Sequence, residues 1–167
     1  LDTLLANARV FVPTNNIDDV FDVGIRPGKI AAVSAHIAPE QAHDIIDVTG
    51  QIVMPGHIYT HAHLSSPFGG NVDRAYGHAM LVESGTTTAL DLAGDPTAMA
   101  TGMVKRGAGL NVASLMGLVP HETISEDDPR PAVLRDVISD VKKRGGFGVK
   151  MLGGYHPFTP EASADVV

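Results

Sequence analysis

Apolar and polar positions in residues 1–56 follow the short spacing of β-strands, without helical periodicity. Residues 22–25 and 29–33 are apolar stretches on either side of Arg26-Pro27-Gly28, where proline presets a turn and glycine accepts a positive φ. This arrangement predicts a β-hairpin. Further short apolar stretches surround a second turn at Thr49-Gly50. Residues 1–56 are therefore predicted to form a small antiparallel sheet or a β-sandwich portion.

The pattern changes from residue 57 onward, where strand-like and helix-like stretches alternate four times. The strand-like stretches are residues 58–64, 86–92, 111–119 and 147–152. Such alternation is typical of parallel βα units, in either an open doubly wound sheet or a (β/α)8 barrel. A complete barrel takes about 250 residues, so if this region belongs to a barrel, residues 57–167 make up the first half of one. We expect two domains, residues 1–56 and 57–167.

Helix starts in the second region carry recognisable signals. A polar residue that can cap a helix precedes proline, which fits the first helical position, at Asp95-Pro96, Asp128-Pro129 and Thr159-Pro160. Residues 72–83 also have helical spacing. We therefore predict helices at these four places.

Composition excludes several function classes. The chain of 167 residues has a net charge of −7, which argues against nucleic acid or an anionic membrane as partner. No apolar run approaches the roughly 20 residues that cross a bilayer, and we expect a cytoplasmic protein. With no cysteine, a metal site here would need histidine, carboxylate or a modified side chain.

Two histidines, His61 and His63, occupy the first strand of the second region. Positions i and i+2 of a strand face the same side, so both imidazoles could share one metal ion. Two ligands alone make no site, and two ordinary histidines on a half-buried strand explain the pattern about as well. The apolar residues before them and their place at the strand end favour metal ligands.

Lys150 is the second unusual residue, because its apolar neighbours place it within a buried strand. Lysine is almost never fully buried without a partner. One interpretation is a lysine near the strand end that extends to solvent or pairs with a carboxylate. The other is a neutral, reactive amine that takes up carbon dioxide and becomes a carbamate able to bridge two metal ions.

Several segments together resemble the amidohydrolase superfamily: residues 28–33, 46–56, 83–88 and 148–150, and the pair His61 and His63. The resemblance implies a small sandwich followed by a (β/α)8 barrel, with one or two divalent ions, Zn²⁺ being the first choice. It implies that His61 and His63 bind the more buried metal and that carboxylated Lys150 bridges two metals. Lys150 favours the branch of hydantoinases, dihydroorotases and ureases.

The chain departs from the family pattern in two ways. Tyr59 stands where the family usually has aspartate, which affects positioning more than metal binding. The family completes its site with histidines of strands five and six and an aspartate of strand eight, the general base. That aspartate is expected beyond Val167, so we expect this chain alone to be inactive and to self-associate or to bind the rest of the barrel.

Three further residues are candidates for the site. His121 follows the third strand and His156 follows Lys150, and both are candidate substrate contacts. Asp91 ends the second strand and is a candidate to orient a metal-binding histidine, or simply to cap. His121 and the strand before it are also similar to N-acyl-D-amino-acid deacylases, in which a different residue bridges the metals. Gly69-Gly70 is interpreted as an active-site loop.

The resemblance implies hydrolysis of a C–N bond in a small amide or cyclic amide by metal-activated water. The alternative is a non-catalytic scaffold that keeps the fold for assembly or regulation. Tyr59 favours the scaffold, whereas the joint presence of His61, His63 and Lys150 favours the enzyme.

Overall fold

The computed structural model of the chain describes residues 1–64 and 76–166. The chain forms two compact units, Leu1–Pro55 and Gly56–Val167, which divide one residue earlier than the sequence suggested. The glycine pair at 69–70 and the first four residues of the helix expected over 72–83 lie outside the described residues. None of the described helices is long and apolar enough to cross a membrane.

The first unit is a single mixed sheet of five strands. These are β1 (Thr3–Val12), β2 (Ile17–Arg26), β3 (Lys29–Ser34), β4 (Asp44–Asp47) and β5 (Ile52–Val53), with short 3-10 turns at Pro13–Asn15 and Pro39–Gln41. The predicted hairpin is confirmed, because β2 pairs antiparallel with β3 and also with β1. The expectation of an antiparallel sheet is wrong for β4 and β5, which both pair parallel to β1.

The chain pairs with β1 both before and after the turn at Thr49-Gly50. β4 precedes the turn and β5 follows it, and both run parallel to β1, so the turn does not reverse the chain direction. The Val48 N–H donates to the Ala6 carbonyl at 3.0 Å before the turn, and the Arg9 N–H donates to the Gln51 carbonyl at 3.0 Å after it. A turn signal in a sequence does not reveal whether the chain reverses, which explains the wrong prediction.

The buried carboxyl group of Asp22 connects separate segments of the first unit by hydrogen bonds. It accepts the backbone N–H of Asn7 at 2.9 Å and that of Ile37 at 2.8 Å. These two hydrogen bonds favour the charged form and hold the pKa of Asp22 below its usual value, with burial opposing them. Asn7 has a φ of 61° at an irregular point in the pairing of β1, where its N–H turns to this carboxyl.

The second unit alternates strands and helices. The strands are β6 (His57–Ala62), β7 (Thr86–Leu92), β8 (Asn111–Leu118) and β9 (Gly148–Met151), and the helices are α1 (Tyr76–Glu83), α2 (Pro96–Arg106), α3 (Pro131–Lys143) and α4 (Pro160–Val166). All four strands are parallel, in the order β6-β7-β8-β9. A doubly wound sheet reverses its strand order at a switch point, whereas a barrel adds strands sequentially. The half-barrel interpretation is therefore confirmed.

The helix starts follow the sequence signals in two cases out of three. Asp95 caps α2 by accepting the N–H of Ala98 at 2.8 Å, and Thr159 caps α4 by accepting the N–H of Ala162 at 3.2 Å. The prediction at Asp128 is wrong, because α3 begins at Pro131 after Arg130, without a side-chain cap. The Asp128 carboxyl instead accepts the hydroxyl hydrogen of Thr159.

Candidate metal centre

Glycine at position 56 allows β6 to begin close to β7. A Cβ atom at Gly56 would lie only 2.1 Å from Oγ1 and 2.2 Å from Cγ2 of Thr87. No other residue fits at this distance without displacing the strand. The Pro55-Gly56 pair thus sets how closely the strand that carries the histidines approaches its neighbour.

The packing of β6 fixes which way its histidines face. Ala62 and Leu64 are buried in a cluster with Ala89 of β7 and Met99 of α2, so they point toward the helices. Because side chains alternate along a strand, His61 and His63 point to the opposite, inner face. His61 is exposed there and His63 is half-buried; β6 ends at Ala62, so His63 lies one residue beyond it.

The two imidazole rings lie close together. Their centroids are 5.3 Å apart with an interplanar angle of 73°. Nδ1 of His63 is 2.7 Å from the carbonyl oxygen of Leu92. A carbonyl oxygen only accepts, so Nδ1 of His63 carries the hydrogen, and in the neutral ring Nε2 is the acceptor nitrogen.

Tyr59, the residue that departs from the family pattern, contacts the start of β6. Tyr59 is 41% exposed and its ring makes an edge contact with His57, with centroids 6.2 Å apart. Tyr59 pairs with Ala89, and the pairing of β6 with β7 is irregular between Tyr59 and Ala62, so strand alternation does not extend from Tyr59 to His61. An aromatic pair thus occupies the start of β6, before the two candidate ligands.

Lys150 also faces the inner side of the sheet. Its neighbours Val149 and Met151 pack against the buried Leu118 and Leu134, on the side of the helices. Lys150 pairs with Gly117 of β8, which has no side chain to cover it. The expectation of a buried strand is wrong in degree, since all four residues of β9 are partly buried.

The structure thus places His61, His63 and Lys150 on one face, but on different strands. β6 and β9 are the outer strands of this sheet, three strand spacings or roughly 14 Å apart when measured along the sheet. Among residues 1–64 and 76–166, no three His, Asp or Glu side chains come together as a metal-binding group. The histidine pair is therefore the geometrically formed part of the candidate site.

Asp91 lies on the other face of the sheet from the histidines. It is fully buried, pairs with Ala62 in the strand register, and its carboxyl oxygen accepts the backbone N–H of Leu64. The residue thus holds the backbone that follows His63.

His121 and His156 both lie in loops that follow strands. His121 is exposed after β8 with a φ of 65°, and its Nδ1 is 3.1 Å from the carbonyl oxygen of Ser125. His156 is half-buried after β9, where its backbone N–H donates to the carbonyl of Leu152 at 2.8 Å. Both loops lie at the carboxyl ends of the strands, where barrel enzymes place their active sites.

Sequence reasoning missed the Leu92 carbonyl, the group that fixes the ring of His63. It is a backbone atom, so no side-chain motif identifies it. The available signal was the strand order, because the end of the second strand must lie beside the end of the first in a barrel.

The donor set fits a divalent ion of the zinc type. Two imidazoles on one face, one of them fixed through its second nitrogen, are the usual start of such a site. An added oxygen ligand from a modified Lys150 would match the preference of these ions for mixed nitrogen and oxygen donors.

Comparison with known proteins gives a consistent result, although no family model matches the chain. A dihydroorotase from Elusimicrobium minutum is 30% identical over 156 residues, covering 88% of this chain and 36% of the relative. A D-hydantoinase from Geobacillus stearothermophilus is 41% identical over 73 residues, covering 42% of this chain and 15% of the relative. The chain thus spans about a third or less of the length of these curated relatives.

Solved structures show the same fold. An N-acyl-D-glutamate deacylase from Bordetella bronchiseptica superposes with a TM-score of 0.71 at 21% identity, covering 94% of this chain and 39% of the deacylase. An L-hydantoinase from Arthrobacter aurescens gives a TM-score of 0.52 at 19% identity, covering 87% of this chain and 39% of the hydantoinase. From the shared half-barrel, the motifs and these relatives, we conclude that the chain belongs to the amidohydrolase superfamily.

Proposed function

We propose that the full-length protein containing this chain is a metal-dependent hydrolase that cleaves a C–N bond in a small amide or cyclic amide. The observation that carries the proposal is the pair His61 and His63, with rings 5.3 Å apart on the inner face of the half-barrel. Its relatives are named dihydroorotase, allantoinase and D-hydantoinase, and all three names refer to cyclic amides.

His61 and His63 are the proposed ligands of a divalent ion, with Zn²⁺ as first choice. The ion, when bound, would polarise the substrate carbonyl and lower the pKa of a water molecule toward about 7. The hydrogen bond from Nδ1 of His63 to the Leu92 carbonyl supports this role, because it makes Nε2 the nitrogen with the acceptor lone pair.

Lys150 is the proposed third ligand, as a carbamate. Its neutral amine would attack carbon dioxide, form an N–C bond and release one proton. The carbamate is longer than lysine and anionic, which suits a residue that must reach from β9 toward the histidines of β6. Its inward direction and its pairing with Gly117 support this role.

His121 and His156 are proposed substrate contacts, and Asp91 a supporting residue behind the ligands. Nδ1 of His121 contacts the Ser125 carbonyl oxygen, and the residue is exposed after β8. A neutral His121 would accept a hydrogen bond there, as from a substrate amide N–H.

The remaining parts of the proposal concern the whole protein. Residues 1–56 would belong to a sandwich and 57–167 to a barrel whose general-base aspartate and further histidines lie outside this chain. Ile58 on β6 is 57% exposed, which supports association with the rest of the barrel or with a second copy. We keep the cytoplasm as the expected location.

The test compares metal content and hydrolysis in the full-length protein and its variants. His61→Ala/His63→Ala should lose bound Zn²⁺ and all activity toward dihydroorotate, allantoin or a hydantoin. His57→Ala is the matched control, since it removes an exposed histidine of the same strand that is not a proposed ligand. Stoichiometric metal in the double variant would contradict the ligand assignment. Metal without hydrolysis of any cyclic amide would favour the scaffold alternative.

A further inference from the structure

The end of β6 leaves the sheet one residue before the second candidate ligand. Ladder pairing between β6 and β7 stops at Ala62 and Asp91. His63 and Leu64 therefore continue without strand pairing to hold them. Their position is nevertheless defined, because Leu64 is 7% exposed and packs in the same cluster as Ala62.

Two consecutive residues of β7 contact the two residues that leave the sheet. The Asp91 carboxyl accepts the backbone N–H of Leu64, which a partner strand would otherwise accept. The Leu92 carbonyl, one residue later, accepts the hydrogen of Nδ1 in the ring of His63. One contact fixes the backbone just after His63, and the other fixes the direction of its ring.

We infer that Asp91 is a positioning residue for the metal centre. Its carboxyl holds the backbone N–H of Leu64 and thereby keeps the His63 ring hydrogen-bonded to the Leu92 carbonyl. This inference rests on the proposed metal-binding role of His63. Asp91 acts from the helix side of the sheet, since it shares the register of Ala62 and lies two residues after Ala89. It is therefore separated from the metal by the backbone and does not serve as a ligand.

The effect of losing this contact follows from the geometry. Without an acceptor, the buried Leu64 N–H has lost its partner, and the segment after Ala62 must move to find another. Such a movement separates Nδ1 of His63 from the Leu92 carbonyl. Loss of a supporting contact behind a metal ligand typically lowers metal affinity about 10- to 100-fold.

Two substitutions of Asp91 separate its hydrogen bond from its charge. Asp91→Asn keeps an oxygen where the Leu64 N–H is accepted, so we expect Zn²⁺ affinity within about threefold of the wild type. Asp91→Ala removes the acceptor, and we expect a loss of at least about 10-fold. Thr86→Val is the matched control, because Thr86 is also buried and hydrogen-bonded on β7, but at the opposite end of the strand.

Two readouts on the full-length protein test the inference. The first is Zn²⁺ affinity measured by competition with a chelator, beside the Tm of the metal-free protein. The second is the tautomer of His63 in metal-free protein, read from ¹⁵N NMR of labelled histidine and assigned with His63→Gln. We expect hydrogen on Nδ1 in the wild type, in Asp91→Asn and in Thr86→Val, and a mixture in Asp91→Ala.

The outcomes distinguish this inference from the proposed function. If Asp91→Ala keeps both the wild-type tautomer and the wild-type affinity, and only its Tm falls, then Asp91 is merely structural and the inference is wrong. If no variant binds Zn²⁺ but Asp91→Ala still loses the tautomer preference, the positioning stands and the proposed function fails. If Asp91→Ala does not fold, a wild-type tautomer in Asp91→Leu, which fills the site without accepting a hydrogen bond, would refute the inference.

Discussion

Gly56, the residue before β6, lies against Thr87 of β7, and Gly56→Ala tests whether this close contact requires glycine. The new Cβ would lie 2.1, 2.2 and 2.6 Å from three side-chain atoms of Thr87. All three contacts are below any tolerated separation, and the β-branched Thr87 has few rotamers with which to avoid them. Overpacking of this kind costs about 1–3 kcal/mol.

The expected consequence is a lower Tm of the full-length protein. At about 2–4 °C per kcal/mol for a domain of barrel size, the fall should be roughly 2–12 °C. Gly153→Ala is the control, because a Cβ there meets nothing within 4 Å. Thr87→Ala in the Gly56→Ala background removes two of the three contacts and should recover part of the loss. The reasoning is refuted if Gly56→Ala and Gly153→Ala melt at the same temperature.

Three further predictions follow from individual contacts. Asp22→Asn should make the free energy of unfolding less dependent on pH between pH 2 and 7, as measured by urea unfolding. The pKa of Asp22 is lowered in the folded state, so its charged form stabilises the fold above the unfolded pKa of about 3.9. This contribution is lost as the pH falls through the folded pKa. An acid limb as steep as that of the wild type would contradict this. Arg144→Ala should lower the free energy of unfolding by only about 1 kcal/mol, because its ion pairs with Asp95 (2.6 Å) and Asp140 (2.8 Å) are partly exposed. A loss that persists in 1 M salt would argue against an electrostatic origin. Lys150→Ala should weaken Zn²⁺ binding, measured by competition with a chelator, because one of the three proposed ligands is lost; an unchanged affinity would exclude Lys150 as a ligand.

The sequence predicts the second unit well because its strands are strongly patterned. The bounds expected for β7, residues 86–92, are those of the structure, since the strand begins with three β-branched residues and a glycine precedes it. The cap at Asp95 is also a local interaction between a side chain and the N–H of Ala98, three residues away. Local interactions of this kind can be read without knowledge of the fold.

The errors involve partners that are distant in sequence. Asp128 has the signal of a helix cap, but its carboxyl bonds Thr159, 31 residues away. The strands around Thr49-Gly50 take their direction from β1, more than 35 residues earlier. In both cases a non-local partner overrides a correct local propensity.

The candidate site is predictable to a similar extent. His61 and His63 could be chosen from their spacing, and the strand order supports their common face with Lys150. The carbonyl of Leu92 and the hydrogen bond from Leu64 to Asp91 could not be inferred, because they depend on where β6 leaves the sheet. Which residues of β7 contact the end of β6 depends on the alignment of the two strands in the folded sheet.

The central claim is that His61 and His63 bind a divalent metal. The most direct test is anomalous diffraction at the zinc edge from crystals of the full-length protein with Zn²⁺. We expect a peak about 2.0–2.1 Å from Nε2 of His63 and from a ring nitrogen of His61, with Nδ1 of His63 still hydrogen-bonded to the Leu92 carbonyl. A peak elsewhere, or none between the two rings at saturating Zn²⁺, would contradict it.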